Sequence, residues 1–242
     1  MGEAQARGHR ATRPARAALV VAIDGPGAAG KTTVGTEVAR RLGYAFLDTG
    51  NLYRALAWLA IRHGVPPTDE EGLARLARQA RMRLVPPAAG SPGPGTILVD
   101  GEDVTPHLRR PEVEAIVSQV SRVPAVRAAL LDLQRRLARE GGIVMAGRDI
   151  GTVVLPDADL KVYLDASPQE RARRRYLELQ GQGREVTLEQ VARELAQRDQ
   201  TDSQREAAPL RPAEDAVIVH TDGLTLAQVV ARVMELVQAR LA

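Results

Sequence analysis

Hydrophobic positions run along this chain in two rhythms. Short β-branched and aliphatic runs at 19–23, 44–47, 142–146, 160–164 and 216–219 predict strands. Apolar residues at i, i+3, i+4 spacing predict helices near 31–42, 51–63, 112–120, 124–140, 168–180, 187–200 and 225–241. The last is the clearest: Leu226, Val229, Val230, Val233, Leu236, Val237 and Leu241 fall on one face, which is expected to be buried. Strands alternating with helices predict an α/β fold with a parallel sheet covered by helices. Residues 64–110 break the alternation. A short helix at 70–80 and a β-hairpin across a wide Pro/Gly-rich breaker at 86–95 are expected there, as a small insert.

Composition narrows the picture. At 242 residues the chain is long enough for one domain with a smaller insert. Aromatics are only 2%, so the core must be aliphatic. Without cysteine there are no disulfides or thiolate metal sites, and the four histidines show no ligand spacing. No apolar run approaches a membrane span. Four of the 33 basic side chains and one of the 30 acidic ones fall in residues 1–17, leaving 29 of each for the remainder. That neutral body gives no support to a nucleic-acid-coating protein. Residues 1–17 read as a disordered basic leader without the apolar core of a secretory signal, so a cytoplasmic location is expected.

The strand at 19–23 runs into Gly25-Pro26-Gly27-Ala28-Ala29-Gly30-Lys31-Thr32-Thr33, which fits the pattern G-x-x-x-x-G-K-[ST]. Only two side chains in the chain are lysines, and one of them, Lys31, stands where a phosphate-cradling loop needs it. Small residues let the backbone wrap a polyphosphate with its N–H groups turned inward. The helix that begins near Lys31 adds its positive end. Lys31 is placed to reach β- and γ-phosphates, and the Thr32 hydroxyl suits Mg²⁺, which favours hard oxygen ligands.

Three further segments carry candidate chemistry. FLDTGNLYR (46–54) places Asp48, Thr49, Tyr53 and Arg54 at a strand-to-helix turn, where open α/β sheets gather ligand-binding residues. Thr49 equally suits a helix cap, and Tyr53 and Arg54 equally suit packing and surface. In GGIVMAGRDIG (141–151) a buried strand delivers Arg148 and Asp149 between glycines, either towards a ligand or as a surface pair in a turn. In RDQTDSQREAAPL (198–210), Arg198, Asp202 and Arg205 share one helix face, and a solvated salt-bridge ladder is the competing reading. Arg171, Arg173, Arg174, Arg175 and Arg184 form a basic cluster suited to a lid over phosphates.

Taken in order, IDGPGAAGKTT, FLDTGNLYR, VDGEDVT, SQVSRVPAVRAAL, GRDIGTVVLPDADLKVYLDAS and QRDQTDSQREAAPL resemble the bacterial cytidylate (CMP/dCMP) kinases, within the P-loop nucleoside monophosphate kinases. The resemblance covers nearly the whole chain from about Leu19. It implies a three-layer P-loop fold with a five-stranded parallel sheet: a core at 18–63 and 111–242, a lid at about 170–186, and a CMP-binding insert at 64–110. It also implies transfer of the γ-phosphoryl of ATP, with Mg²⁺, to CMP or dCMP by a monomeric enzyme. Carried over by motif, the loop 25–33 holds ATP and Thr32 the metal. Thr49, Tyr53 and Arg54 then lie near the CMP ribose and phosphate. Ser118, Arg127 and Asp149 lie near the cytosine, Arg148 and Arg205 near the acceptor phosphate, and Arg198 and Asp202 near the sugar. Lys31, Arg148, Arg205 and a lid arginine, taken as Arg174, are the catalytic candidates.

The residue chemistry agrees with that reading. An attacking phosphate oxygen needs no strong base, so positioning and charge neutralisation suffice. A carboxylate at Asp149 suits the exocyclic amine of cytosine and opposes the carbonyl of uracil. Two departures stand out. Ala28 replaces a common glycine in the loop, so the backbone must tolerate a Cβ there. Ala146 stands where relatives often carry an acid before GRD, leaving Asp24 and Asp48 as carboxylates near the metal. Another small-molecule P-loop kinase, a shikimate kinase for example, remains the alternative enzyme. A P-loop switch is the alternative of another class, but neither lysine lies in an N-K-x-D guanine motif.

Overall fold

The computed structural model describes residues 18–87, 95–139, 141–205 and 208–242. The expected leader at 1–17, the centre of the Pro/Gly-rich breaker (88–94) and residues 206–207 lie outside the described residues. In chain order the elements are β1 (Val20–Asp24), α1 (Lys31–Leu42), β2 (Ala45–Asp48), α2 (Gly50–Arg62), α3 (Glu70–Gln79), β3 (Met82–Val85), β4 (Thr96–Val99) and β5 (Glu102–Asp103). There follow α4 (Pro111–Val120), α5 (Pro124–Ala138), β6 (Ile143–Ala146), β7 (Leu160–Asp165), α6 (Pro168–Gly181), α7 (Leu188–Ser203), β8 (Val217–His220) and α8 (Leu226–Leu241).

Five strands form one parallel sheet in the order β2-β6-β1-β7-β8. Alternate side chains of β1 explain its two buried faces. Val20 and Ala22 join α2, α4 and α5 in one apolar cluster, while Val21 and Ile23 join α1 and α8 in the other. This is a three-layer α/β sandwich, with the central strand buried along its whole length. The chain leaves β1 for β2 on one side and later returns through β6, between them. The crevice beyond the carboxyl ends of β1 and β6 is therefore the topological switch point, where ligands of open α/β sheets bind.

Residues 64–110 hold α3 and an antiparallel sheet, β3-β4-β5. Asp69 caps α3, its carboxylate accepting from the Gly72 N–H at 2.9 Å. The insert has no core of its own: Leu73, Met82, Ile97 and Val99 bury in the same cluster as α2 and α4.

Three local features depart from the expectations. Leu226 and Leu241 are exposed, at 46% and 54%, although they lie on the periodic face of α8. A helix of 16 residues spans roughly 24 Å, longer than strands of four to six residues, so its end turns overhang the sheet. Thr105–His107 forms a 3₁₀ turn, and Ile150–Val154 forms a π-helical turn directly after Arg148-Asp149.

Close packing of α1 on β2 gives a direct test. A Cβ built on Gly35 would lie 2.4 Å from the Phe46 ring. Gly35→Ala is expected to destabilise the protein by about 1–3 kcal/mol in urea unfolding, despite alanine's better helix propensity. A gain in stability would show that Phe46 moves aside freely.

Candidate active site

The strand ends build the site. β1 runs into the loop 25–33, β2 ends at Asp48, and β6 hands over to Gly147-Arg148-Asp149, all at one sheet edge. The loop must be glycine at its start: Gly25 has φ +146°, and a Cβ there would sit 2.1 Å from the Leu164 carbonyl oxygen. Ala28 does carry its Cβ in a left-handed conformation, φ 60°, the strain expected from its departure.

Asp24 ties the loop to the turn that follows β6. Its two carboxylate oxygens accept from the backbone N–H of Ile150 and of Gly151, each at 2.7 Å. Burial pushes its carboxyl up to about 6 against those two hydrogen bonds. Asp24 does not line the cavity described below, whereas Asp48 does. Asp48 is better placed, because its Oδ2 accepts from the Thr32 hydroxyl at 2.7 Å. Burial works against the Asp48 charge, but Arg54, Arg109 and Thr32 outweigh it and hold the carboxyl below its usual range. Asp48 also takes the capping role expected of Thr49: its Oδ1 accepts from the Gly50 N–H, while the Thr49 hydroxyl donates to the Ala146 carbonyl.

A cavity of about 530 Å³ opens above these residues. It is lined by all ten candidate substrate residues: Thr49, Tyr53, Arg54, Ser118, Arg127, Arg148, Asp149, Arg198, Asp202 and Arg205. Gly27, Ala28, Gly30, Lys31, Thr32 and Thr33 of the loop line it too, whereas Gly25, Pro26 and Ala29 do not. Eight arginines and Lys31 face five carboxylates across it, an excess that calls for a polyanionic ligand.

Each arginine has a defined anchor. Arg148 donates from Nε to Asp202 at 2.8 Å and from Nη1 to the Gly25 carbonyl at 3.3 Å, so it bridges α7 and the loop. Asp149 pairs with Arg127, whose guanidinium lies 5.5 Å from the Tyr53 ring centroid. Arg205 Nη2 is 3.6 Å from Asp202 Oδ1. Arg205 Nη2 and Arg198 Nε are buried without an acceptor in hydrogen-bond range among the described residues. Lys31 Nζ donates to the Pro26 carbonyl at 2.6 Å. Burial and then Arg148 depress its ammonium well below the usual lysine range.

The lid cluster divides unexpectedly. Arg174 lines the cavity, yet its guanidinium donates to the Thr221 hydroxyl and carbonyl and to Glu170. Arg171 instead reaches the loop, donating to the Gly27 carbonyl at 3.1 Å and to Asp199 at 2.5 Å. Arg171 belongs to the basic cluster expected to form a lid, but its contact with the loop was not foreseen, and Asp199, Arg109 and Glu114 escaped the sequence reading. In a chain so rich in arginine and glutamate, no local pattern separates them from solvated surface residues.

A family model described as cytidylate kinase matches residues 21–239. The chain belongs to the cytidylate kinase family. It is 48% identical over 218 residues to the cytidylate kinase of Desulfitobacterium hafniense (strain Y51), covering 90% of this chain and 92% of that one. With the cytidylate kinase of Geobacter sulfurreducens it shares 46% over 225 residues, 93% and 95% of the two chains. It is also 49% identical over 218 residues to a bifunctional pantoate ligase/cytidylate kinase of Synechococcus sp. (strain JA-3-3Ab), covering 90% of this chain but 40% of that longer protein. Cytidylate kinases transfer the γ-phosphoryl of ATP to CMP or dCMP, and this chain is an ATP-dependent kinase of that class. No helix among the described residues is long and apolar enough to cross a membrane.

The raised Asp24 carboxyl makes a pH prediction. A carboxyl raised from 3.8 to about 6 on folding contributes stability that is fully present below about 4. That contribution is lost as pH climbs through 6. The unfolding free energy of the wild type minus that of Asp24→Asn should fall by on the order of 2–3 kcal/mol from pH 4 to pH 7. A flat difference would mean that Asp24 titrates normally.

Proposed function

We propose that the cavity holds two nucleotides head to head, with the phosphates of ATP on the loop 25–33 and the phosphate of CMP among Arg54, Arg148 and Arg205. The observation that carries this reading is the Arg148-Asp149 turn. Arg148 bonds the loop on one side, and Asp149 pairs with Arg127 over Tyr53 on the other. One turn therefore presents a base-blind cation to the transferring phosphoryl and a carboxylate to the base.

On this reading a CMP phosphate oxygen attacks the γ-phosphorus of ATP. The new P–O bond forms as the bond from that phosphorus to the β–γ bridging oxygen breaks, leaving ADP. The acceptor oxygen is already anionic, so no strong general base is required. Lys31, Arg148 and Arg205 neutralise the spreading charge, with Arg174 as the lid arginine once it leaves Thr221. The Asp149 carboxylate accepts from the cytosine amine, with Ser118 and Arg127 beside the base and Arg127 acting only as a donor. Arg198 and Asp202 take the sugar hydroxyls, and Thr49 and Tyr53 pack beside them. The insert at 64–110 covers the CMP side, and residues of about 170–186 close over ATP.

The Thr32 hydroxyl and the Asp48 carboxylate are adjacent hard oxygens at the foot of the loop, and that pair fits Mg²⁺ arriving with ATP. Bound there, the ion would withdraw charge from the phosphate oxygens. We read the enzyme as a cytoplasmic monomer, without nucleic-acid or membrane partners.

Asp149→Ala should raise KM for CMP roughly tenfold and erode the preference over UMP, with KM for ATP little changed. Arg148→Ala should lower turnover with every acceptor, by about a hundredfold. Steady-state kinetics with CMP and UMP decide it: unchanged base preference in Asp149→Ala removes Asp149 from the cytosine site.

A further inference from the structure

Glu114, in the first turn of α4, is a cavity carboxylate to which nothing above gives a task. Its Oε1 accepts from Arg54 Nε at 2.8 Å, and Arg109 Nη1 lies 3.4 Å from the same oxygen. Arg198 Nη1 lies 4.0 Å from Oε2. These arginines come from α2, from the segment before α4 and from α7, so one carboxylate gathers three separate parts of the chain. Arg54 is nearly buried, its side chain 7% exposed, and it donates to Glu114 through Nε alone. Among the described residues nothing accepts from its two terminal nitrogens. Arg148 is held alike, pinned at Nε by Asp202. Burial disfavours the Glu114 charge, but Arg54 and Arg109 more than offset this and hold its carboxyl at about 2, so it stays ionised across any working pH.

We propose that Glu114 is a positioning residue for the acceptor phosphate: it fixes Arg54 by its Nε and balances Arg109 and Arg198, leaving terminal guanidinium nitrogens free to grip the CMP phosphate. This rests on the reading that Arg54 lies at that phosphate. Without Glu114 three like charges would crowd one partly buried site. Arg54 and Arg109 would then turn towards Asp48, already 3.8 Å from Arg109 Nη2, and away from the acceptor.

The test is steady-state kinetics, varying CMP and ATP separately, on Glu114→Ala, Glu114→Gln, Arg54→Ala and the Arg54→Ala/Glu114→Ala double variant. Losing a charge-assisted hydrogen bond should raise KM for CMP roughly tenfold to a hundredfold in Glu114→Ala. Both kcat and KM for ATP should stay within about twofold. Glutamine keeps an acceptor oxygen for Arg54 Nε, so Glu114→Gln should recover most of the loss. It also keeps the test open if the alanine variant folds poorly, through a several-fold rise in KM for CMP alone. In the Arg54→Ala background the Glu114 substitution should add little. Equal losses for CMP and ATP, or fully additive effects, would overturn the proposal. So would a lowered KM for CMP, which would mean that the carboxylate stands in the phosphate's way. If Arg54→Ala itself leaves KM for CMP unchanged, the placement of the phosphate at Arg54 fails, and the proposal fails with it.

Discussion

Like-charge repulsion is the constraint around which this site is organised. Eight arginines and a lysine line one cavity, and on the proposed reading they surround the transferring phosphoryl group with positive charge. In the free protein those cations must be held together without the anions they serve. Asp202 holds Arg148 and Arg205, Glu114 holds Arg54 and Arg109, and Asp149 holds Arg127. In these pairs the carboxylates mostly engage one edge of a guanidinium and leave donors over. Arg198 Nε and Arg205 Nη2 are buried without an acceptor among the described residues, which leaves donors over for an anionic ligand.

The scaffold makes such crowding tolerable by fixing backbone before side chain. Asp24 reaches across from β1 to take two consecutive N–H groups at the start of the π-helical turn. That links the end of β1, where the phosphate loop begins, to the turn bearing Arg148 and Asp149 through one buried carboxylate and two backbone N–H groups. The loop and the turn are thereby set against each other by a short buried connection, alongside the longer stem of Arg148.

Much of this was readable from the chain. The strands from 19–23 to 216–219 carry short apolar runs, and the loop 25–33 fits a phosphate-binding pattern. Thr49, Arg148, Asp149 and Asp202 follow from their places at strand ends and on one helix face. What escaped is non-local. Asp24 bonds residues 126 and 127 positions away, and that contact leaves no periodic trace. Arg109 and Glu114 are ordinary surface residue types until the fold brings them to the cavity wall. Leu226 and Leu241 failed for the opposite reason: helical periodicity continues past the edge of the sheet that would bury it.

The most direct test of the account is ADP formation by the wild-type enzyme from MgATP, with CMP, dCMP, UMP, AMP, GMP and shikimate offered separately. Strong turnover with CMP and dCMP and little with the rest is the predicted result. Preferential turnover with any other acceptor would keep the phosphoryl-transfer scaffold and contradict the cytosine site built on Asp149.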